Sequence, residues 1–234
     1  MSDKKAIFID QPGFYGDIIH LMAIAQDYVN KGHVVYIPVP EQYLEMQKNF
    51  PTINFVLRDT FPNYEFYCSH SSIFEDDNFI YLPLKKSPEW NFGGSNRNME
   101  KKYLFLNLPS QMWRNIEITR DYNAENQLFN LLGLKEDDKY NLINEFHQKN
   151  DIKVLINVIN EFKNIYMCKI EGYNLFDWIK VMQKAQTIHT IGTAIIFLMD
   201  VIEAMPNEMH IYKRSDRNDH ATYDYLLEKK YIYH

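Results

Sequence analysis

The order of the first elements is set by residues 5–39, which read KAIFIDQPGFYGDIIHLMAIAQDYVNKGHVVYIPV. The run opens with a short apolar stretch typical of a strand, followed by a loop that contains proline and glycine. Apolar residues then recur at helical spacing from Ile18 to Val29, with Asp17 in the N-cap position and Gly32 at the helix end. The last residues return to a strand pattern. This strand–helix–strand unit predicts two parallel strands joined by a right-handed crossover.

The same alternation of strand and helix patterns continues to the end of the chain. After residue 39 we predict a helix at 40–49, strands at 53–57 and 79–84, a functional loop at 87–111, helices at 123–132, 174–186, 193–205 and 223–230, and strands at 140–146, 153–158, 164–170, 187–191 and 209–213. Alternation of this kind is typical of doubly wound α/β layers. We therefore predict an α/β protein with two Rossmann-like halves, residues 1–120 and 121–234, and a cleft between them.

The bulk composition narrows the class of protein. Hydrophobic residues make up 46% and charged residues 24% of the 234 positions, which is typical of a folded globular chain. We find neither an apolar run of the roughly 20 residues that cross a bilayer nor a signal peptide, so we expect a cytoplasmic protein without a membrane span. Cys68 and Cys168 lie outside any Cys-x-x-Cys pattern, and we expect free thiols and no metal site.

The net charge of −6 conceals a local basic excess. Residues 85–120 contain seven basic and three acidic residues. A basic segment of this kind can face an anionic substrate, or it can simply be a solvated surface. Both interpretations stay open at the level of sequence.

The first candidate site is the loop that joins the first strand to the first helix. Gly13 and Gly16 would let the backbone turn sharply and approach a substrate closely. Asp17 could act as a general base that takes a proton from an attacking hydroxyl, or it could only cap the helix. The loop lacks the Gly-x-Gly-x-x-Gly fingerprint and is not a phosphate loop, which disfavours nicotinamide chemistry and ATP hydrolysis.

The second candidate site is the turn from His189 to Thr193, again between a strand and a helix. The free N–H groups and the positive end of the helix dipole would suit a diphosphate near Gly192, and the hydroxyls of Thr190 and Thr193 could donate to it. The alternatives are a buried, hydrogen-bonded role for His189 and a capping role for Thr193.

Four cations and a tryptophan complete the set of candidates. Cations near such a site could neutralise a leaving diphosphate without a metal ion; they are Lys213, Arg214, Arg114 and Arg120. Each of them could instead be a solvated surface residue. Trp113, like Trp90, could pack in the core or stack on a sugar or base.

Taken together, these residues resemble the GT-B-fold glycosyltransferases, and in particular the heptosyltransferase-like group. In that group a Gly-Asp pair starts the first helix and its Asp is the proposed base; Gly16-Asp17 matches it. The group also has an Asp-Thr-Gly-x-Ser-type turn that holds the phosphates of the donor. Thr190 and Thr193 match its Thr and Ser, whereas His189 stands in place of the Asp and Ile191 in place of the Gly.

The chain also resembles small glycosyltransferase-like proteins of large tailed phages. The shared segments, in order, are Gln11 to Ile18, Lys102-Tyr103, Trp113-Arg114-Asn115, Asn144-Glu145 and Ile188 to Thr190. This likeness spans most of the chain and implies a protein of the host cytoplasm.

The resemblance implies an inverting, metal-independent glycosyltransferase that transfers a hexose or pentose. The first half would serve the acceptor and the second would bind a nucleotide-sugar donor, with no further cofactor. The acceptor could be a glycan, a lipid-linked sugar or modified phage DNA. A non-catalytic sugar- or nucleotide-binding module of the same fold is the alternative, because fold does not fix function. A sugar-nucleotide epimerase is disfavoured, since the glycine fingerprint is missing.

Overall fold

The computed structural model describes residues 4–11, 14–61, 64–84, 98–147, 152–206, 208–213 and 226–234. The chain forms two compact units, Met1–Thr119 and Arg120–His234. Each unit contains its own five-stranded sheet of mainly parallel strands, so the predicted α/β class is confirmed. No helix in the described ranges is both long enough and apolar enough to span a membrane.

The amino-terminal unit begins with the predicted strand–helix–strand order. In chain order its elements are strand β1 (Ala6–Asp10), helix α1 (Tyr15–Asn30), strand β2 (Val34–Val39), a 3-10 helix (Glu41–Lys48), strand β3 (Asn54–Leu57), a 3-10 helix (Arg58–Thr60), helix α2 (Tyr64–Cys68), strands β4 (Phe74–Glu75) and β5 (Phe79–Pro83), helix α3 (Asn98–Phe105) and a 3-10 helix (Ser110–Arg114).

The first sheet has the strand order β3-β2-β1-β5-β4. Strand β1 lies in the centre and pairs in parallel with β2 and β5, with Phe8 beside Tyr36 on one side and Tyr81 on the other. The edge strand β4 runs antiparallel to β5. The carboxyl ends of the parallel strands therefore share one edge of the sheet, where open α/β sheets bind ligands.

Helix α1 lies inside its unit, since every residue from Ile18 to Ala25 is buried. It begins at Tyr15, earlier than predicted, and Phe14 takes the N-cap position without a side-chain capping bond. The interpretation of Asp17 as the N-cap is therefore wrong, and Asp17 lies within the first helical turn. The predicted helix end is confirmed: Gly32 follows with φ +90°, a conformation that favours glycine.

The predicted loop at 87–111 is wrong over its second part. Helix α3 occupies positions 98–105 and a 3-10 helix begins at Ser110. Both elements contact α1. Because α3 buries a lysine, Lys102, beside Tyr103, hydrophobic periodicity does not reveal it. The rest of the loop, including Trp90, lies outside the described residues.

The carboxyl-terminal unit repeats the alternation. In chain order its elements are helix α4 (Tyr122–Leu131), strands β6 (Tyr140–Asn144), β7 (Phe146–His147), β8 (Ile152–Lys153) and β9 (Lys163–Tyr166), a 3-10 helix (Leu175–Trp178), helix α5 (Ile179–Lys184), strand β10 (Thr187–Ile191), helix α6 (Ala194–Val201), and strands β11 (Glu208–Tyr212) and β12 (Ile232–Tyr233).

The second sheet has the strand order β12-β11-β10-β6-β9, and each neighbouring pair is parallel. Its central strand β10 coincides with the strand predicted at 187–191. Thr190 lies beside Asn144 of β6, and His189 lies beside His210 of β11. The short strands β7 and β8 form a separate antiparallel pair.

Two predicted elements of this unit are wrong for identifiable reasons. Of the strand predicted at 153–158, only its first residue is in a strand, because the amide of Ile156 donates to Glu145 Oε1 at 2.9 Å rather than to a neighbouring strand. The described part of the last predicted helix, residues 226–230, is not helical. There the buried carboxylate of Asp200 accepts hydrogen bonds from the amides of Glu228 and Lys229.

The helix predicted at 174–186 is present as a 3-10 turn that leads into α5. Asn174 starts it with a capping box: its Oδ1 accepts from the amides of Phe176 at 2.8 Å and Asp177 at 3.3 Å, and Asp177 Oδ2 accepts from the amide of Asn174 at 2.7 Å. Asn174 is buried, so protein groups replace water at this helix start.

We predict that Asn174→Ala lowers the free energy of unfolding by about 1 kcal/mol or more, because a capping acceptor is lost from a buried helix start. Chemical denaturation measures the change. Asn174→Ser, which keeps a capping oxygen, is the matched control and should lose less. Equal stability of the alanine variant and the wild type would contradict this role.

Candidate active site

The carboxyl edge of the first sheet carries buried polar groups. Asp10 and Gln11, at the end of β1, are both fully buried. The hydroxyl of Tyr81 on β5 donates to Asp10 Oδ2 at 3.1 Å. Arg58, which follows β3, donates through Nη2 to the carbonyl oxygen of Gln11 at 3.1 Å. A tyrosine hydroxyl from β5 and the guanidinium of Arg58, which follows β3, thus contact buried polar groups at the end of β1.

Asp17 lies next to this edge, in the first turn of α1. Its side chain is 25% exposed, and Lys102 Nζ of α3 lies 3.1 Å from its Oδ1. The side chain of Lys102 is only 1% exposed. No hydrogen bond or ion pair reaches Asp17 Oδ2 from the part of the chain that the structure describes. One oxygen of the carboxylate is therefore fixed and the other is open.

The sequence does not predict the ion pair of Lys102 with Asp17. The sequence analysis counts this lysine only as one of the cations of the basic segment, and as part of the Lys102-Tyr103 pair shared with the phage proteins. Since 85 positions separate Lys102 from Asp17, no local spacing connects the two. The Lys102-Tyr103 pair, a lysine directly before an aromatic residue, was the feature of the sequence that could have drawn attention to Lys102.

Beneath the ion pair lies a buried aromatic cluster. The ring of His20 stacks on Trp113, with ring centroids 5.2 Å apart, and the hydroxyl of Tyr103 donates to the carbonyl oxygen of His20. Burial lowers the pKa of His20 well below its usual value, and the charges of Lys102 and Arg114 lower it further. His20 is therefore neutral near pH 7.

Trp113 was a candidate for the acceptor side, and the structure places it in the core. Its side chain is buried, with His20 against the ring and the guanidinium of Arg114 5.1 Å from the ring centroid. Protein contacts thus occupy the surface that a sugar would need.

The first turn of α1 also makes aromatic and polar contacts. Tyr15 packs edge-on against Tyr43, with centroids 4.7 Å apart, and its hydroxyl donates to Glu45. Burial raises the pKa of Tyr43, and the charge of Asp17 adds to this effect. Phe14 is exposed. Asp17 is therefore partly open to solvent and lies close enough to Tyr43 for its charge to act on the phenol.

In the second unit, Asn144 organises the turn between β10 and α6. Its Nδ2 donates to Thr190 Oγ1 at 2.9 Å and to Thr193 Oγ1 at 3.1 Å. Thr190 is buried and donates its own proton to the carbonyl oxygen of Ile191. Thr193 takes the N-cap position of α6 without a side-chain capping bond, and Gly192 before it is buried.

This geometry separates the two threonines. Thr190 Oγ1 is used inside the unit as both donor and acceptor. Thr193 Oγ1 only accepts, and its proton has no acceptor among the described residues. The sequence analysis includes both threonines but names Asn144 only in the Asn144-Glu145 segment shared with the phage proteins, without its hydrogen bonds to Thr190 and Thr193.

His189 is a buried histidine with hydrogen bonds at both ring nitrogens. Its Nε2 lies 2.9 Å from Thr187 Oγ1, and its Nδ1 lies 3.1 Å from the hydroxyl of Tyr212. Its ring stacks on His210 at 4.2 Å. Burial lowers the pKa of His189 to about 4, and His210 contributes in the same direction. His189 is therefore neutral near pH 7. Its contacts are those of a buried, hydrogen-bonded histidine, which was the alternative to a role in ligand binding.

The candidate cations have different surroundings. Arg120 donates to the buried Glu125 at 2.7 Å and to Gln183 at 3.0 Å, and its guanidinium lies 4.8 Å from the ring centroid of Tyr122. These bonds give Arg120 a structural role within the second unit. Lys213 is exposed at the end of β11. Gly16 is the second residue of α1, whereas Gly13 and Arg214 lie outside the described residues.

In the described ranges, no three or more His, Cys, Asp or Glu side chains converge as a metal ion would require. Cys168 is an exposed free thiol, as predicted.

The fold is similar to those of two solved glycosyltransferases. A glycosyl transferase family 9 protein from Veillonella parvula matches with a TM-score of 0.55 and 9% identity, over 100% of this chain and 87% of that chain. The ADP-heptose LPS heptosyltransferase II of E. coli matches with a TM-score of 0.52 and 9% identity, over 98% of this chain and 92% of that chain. The predicted GT-B-like fold is thus confirmed. No protein-family model matches the sequence, and no curated protein matches it.

We predict that lowering the pH destabilises the wild type more than His189→Gln. The pKa of His189 is about 4 in the folded protein and about 6.5 in an unfolded chain. The unfolded state therefore binds the proton first, and stability falls as the pH decreases from about 6.5 to about 4. Thermal unfolding of both proteins at about pH 7.5 and about pH 5 measures this difference. An equal fall in both proteins would contradict it.

Proposed function

We propose that the protein is a glycosyltransferase that moves a sugar from a nucleotide sugar to an acceptor hydroxyl with inversion at the anomeric carbon. The observation that carries this proposal is the carboxylate of Asp17 at the carboxyl edge of the first sheet, with Oδ1 held by Lys102 and Oδ2 open. The GT-B-like fold supports it, because two solved glycosyltransferases share that fold.

In the proposed reaction Asp17 is the general base. Oδ2 accepts the proton of the acceptor hydroxyl as its oxygen attacks the anomeric carbon. The bond from that carbon to the phosphate oxygen breaks, and the electron pair leaves with the nucleoside diphosphate. A single displacement of this kind inverts the configuration, and a positioned carboxylate suits it because the proton must leave during the attack.

The second unit supplies the donor side in this proposal. The diphosphate would lie at the amino terminus of α6, where the helix dipole and backbone N–H groups favour negative charge. Thr193 supports this role, since Asn144 occupies its acceptor side and leaves its proton to donate. Thr190 and His189 then shape the turn from inside, through the bonds described above, and Gly192 directly precedes the N-cap residue of α6.

Positive side chains would stabilise the leaving group in place of a metal ion. Lys213 is the candidate with an exposed side chain, and Arg114 is the one next to Trp113. Fixed cations and helix N-termini stabilise a developing charge when they are oriented before the reaction. Arg120 is not part of this proposal, because its guanidinium holds Glu125.

The acceptor in this proposal is a sugar hydroxyl, which the amino-terminal unit would bind. The exposed ring of Phe14, the N-cap residue of the helix that carries Asp17, supports a glycan, since aromatic rings pack well on the apolar face of a sugar. Modified DNA is the other acceptor to test. We assign the donor to the class of nucleoside diphosphate sugars, with UDP-glucose and ADP-heptose as probes.

We predict that Asp17→Asn reduces kcat about 10²–10⁴-fold, the usual contribution of a general base. The measurement is the release of nucleoside diphosphate from each probe, with mono- and oligosaccharides or glucosylated DNA as acceptors. The thermal unfolding midpoint of the variant serves as a folding control.

The same assay separates the proposal from its alternative. Donor binding without turnover in the wild type would identify a non-catalytic binding module. Full turnover by the asparagine variant would refute the role of Asp17 as base while leaving glycosyl transfer intact.

We predict that Thr193→Val weakens binding of UDP or ADP about tenfold or more, because a hydrogen bond to a charged group contributes roughly 1.5–3 kcal/mol. Calorimetric titration measures the affinity. Thr52→Val, an exposed threonine of the first unit, is the matched control and should bind as the wild type does. Unchanged affinity of the Thr193 variant would remove this hydroxyl from the donor site.

A further inference from the structure

Lys102 places a buried ammonium group in the first unit. Its side chain is 1% exposed, and its Nζ lies 3.1 Å from Oδ1 of Asp17, whose own side chain is 25% exposed. A buried ammonium thus contacts a carboxylate that reaches solvent. The two residues lie on different helices, α3 and α1, so the ion pair fixes one helix relative to the other.

Stability does not explain a lysine at this position. Removing an ammonium from water costs several kcal/mol, and the attraction within buried ion pairs often fails to recover that cost. Replacing a buried ion pair with apolar side chains of similar volume is often neutral or stabilising. A methionine would fill the same space in α3, so the charge itself requires a reason.

The reason lies in the alternative conformation open to Asp17. An aspartate in the first turn of a helix can rotate toward the backbone N–H groups of that turn and bond to them. Phe14, in the N-cap position of α1, offers no side-chain acceptor that would compete for those groups. The ammonium of Lys102 instead holds Oδ1, and no amide of the described residues donates to the Asp17 carboxylate.

We propose that Lys102 is a positioning residue, which fixes the Asp17 carboxylate so that Oδ2 faces the acceptor hydroxyl. This inference rests on the proposed function. Lys102 touches no substrate, since its side chain is buried, and it acts through Asp17. Its removal therefore changes the fraction of molecules in which Oδ2 is correctly oriented, rather than the affinity for donor or acceptor.

The test compares Lys102→Met and Lys102→Arg with the wild type, and Lys31→Met, an exposed lysine at the end of α1, serves as the control. We expect kcat of the methionine variant to fall about 10–100-fold, since a misplacement of about 1 Å can cost 10²-fold. KM should stay within about twofold and the unfolding midpoint should not fall, whereas arginine should restore part of kcat. Asp17→Asn combined with Lys102→Met should be no slower than Asp17→Asn alone, because the two residues act as one unit.

Several outcomes would overturn this inference. They are an unchanged kcat in Lys102→Met, a change confined to KM, or a loss of activity that only follows a loss of folded protein. If the methionine variant does not fold, Lys102→Arg is the deciding variant, and its kcat should be lower than that of the Lys31→Met control at unchanged KM. The proposal is overturned if Lys102→Arg has the activity of the control although its Asp17 carboxylate is displaced.

Crystal structures separate this inference from the proposed function. A wild type that transfers no sugar refutes the function, yet the orientation of Asp17 can still be observed. We expect the carboxylate to turn toward the helix start in Lys102→Met. A single orientation, identical to that of the wild type, would refute the positioning role whether or not the protein is active.

Discussion

The ion pair between Lys102 and Asp17 is the interaction on which the proposed chemistry depends. It joins α3 to the first turn of α1 and leaves one carboxylate oxygen open at the carboxyl edge of the first sheet. Without this pair, Asp17 would be an ordinary first-turn acid, favourable for the helix dipole and available to its N–H groups. The buried ammonium instead turns a helix-stabilising residue into a candidate base.

The polar groups at the two helix starts are held by different means. In the first unit, Phe14 leaves α1 without a side-chain cap, and Asp17 is held by a cation from another helix. In the second unit, Asn144 on a neighbouring strand donates to Thr193 Oγ1, which acts there as an acceptor. In both cases a residue distant in sequence contacts the polar group. In both cases, too, the helix follows the carboxyl end of a central strand in a parallel sheet.

Local sequence patterns were sufficient to predict elements that have regular apolar periodicity and a residue that marks their end. The β1–α1–β2 unit with Gly32, and strand β10, are examples in which burial and turn chemistry agree. Helix α3 was missed because Lys102 occupies an inward position, where the periodicity requires an apolar residue. The contacts of Lys102 and Asn144 could not be predicted, because their partners, Asp17 in one case and Thr190 and Thr193 in the other, are distant in sequence.

Chemical rescue of Asp17→Ala tests most directly the claim that a carboxylate beside Lys102 removes the acceptor proton. The truncated side chain leaves space for a formate ion next to the ammonium, and formate can serve as the missing base. The account predicts that formate raises the rate of glycosyl transfer by Asp17→Ala but not by Asp17→Ala/Lys102→Met. The absence of rescue in Asp17→Ala, with donor binding intact, would contradict it.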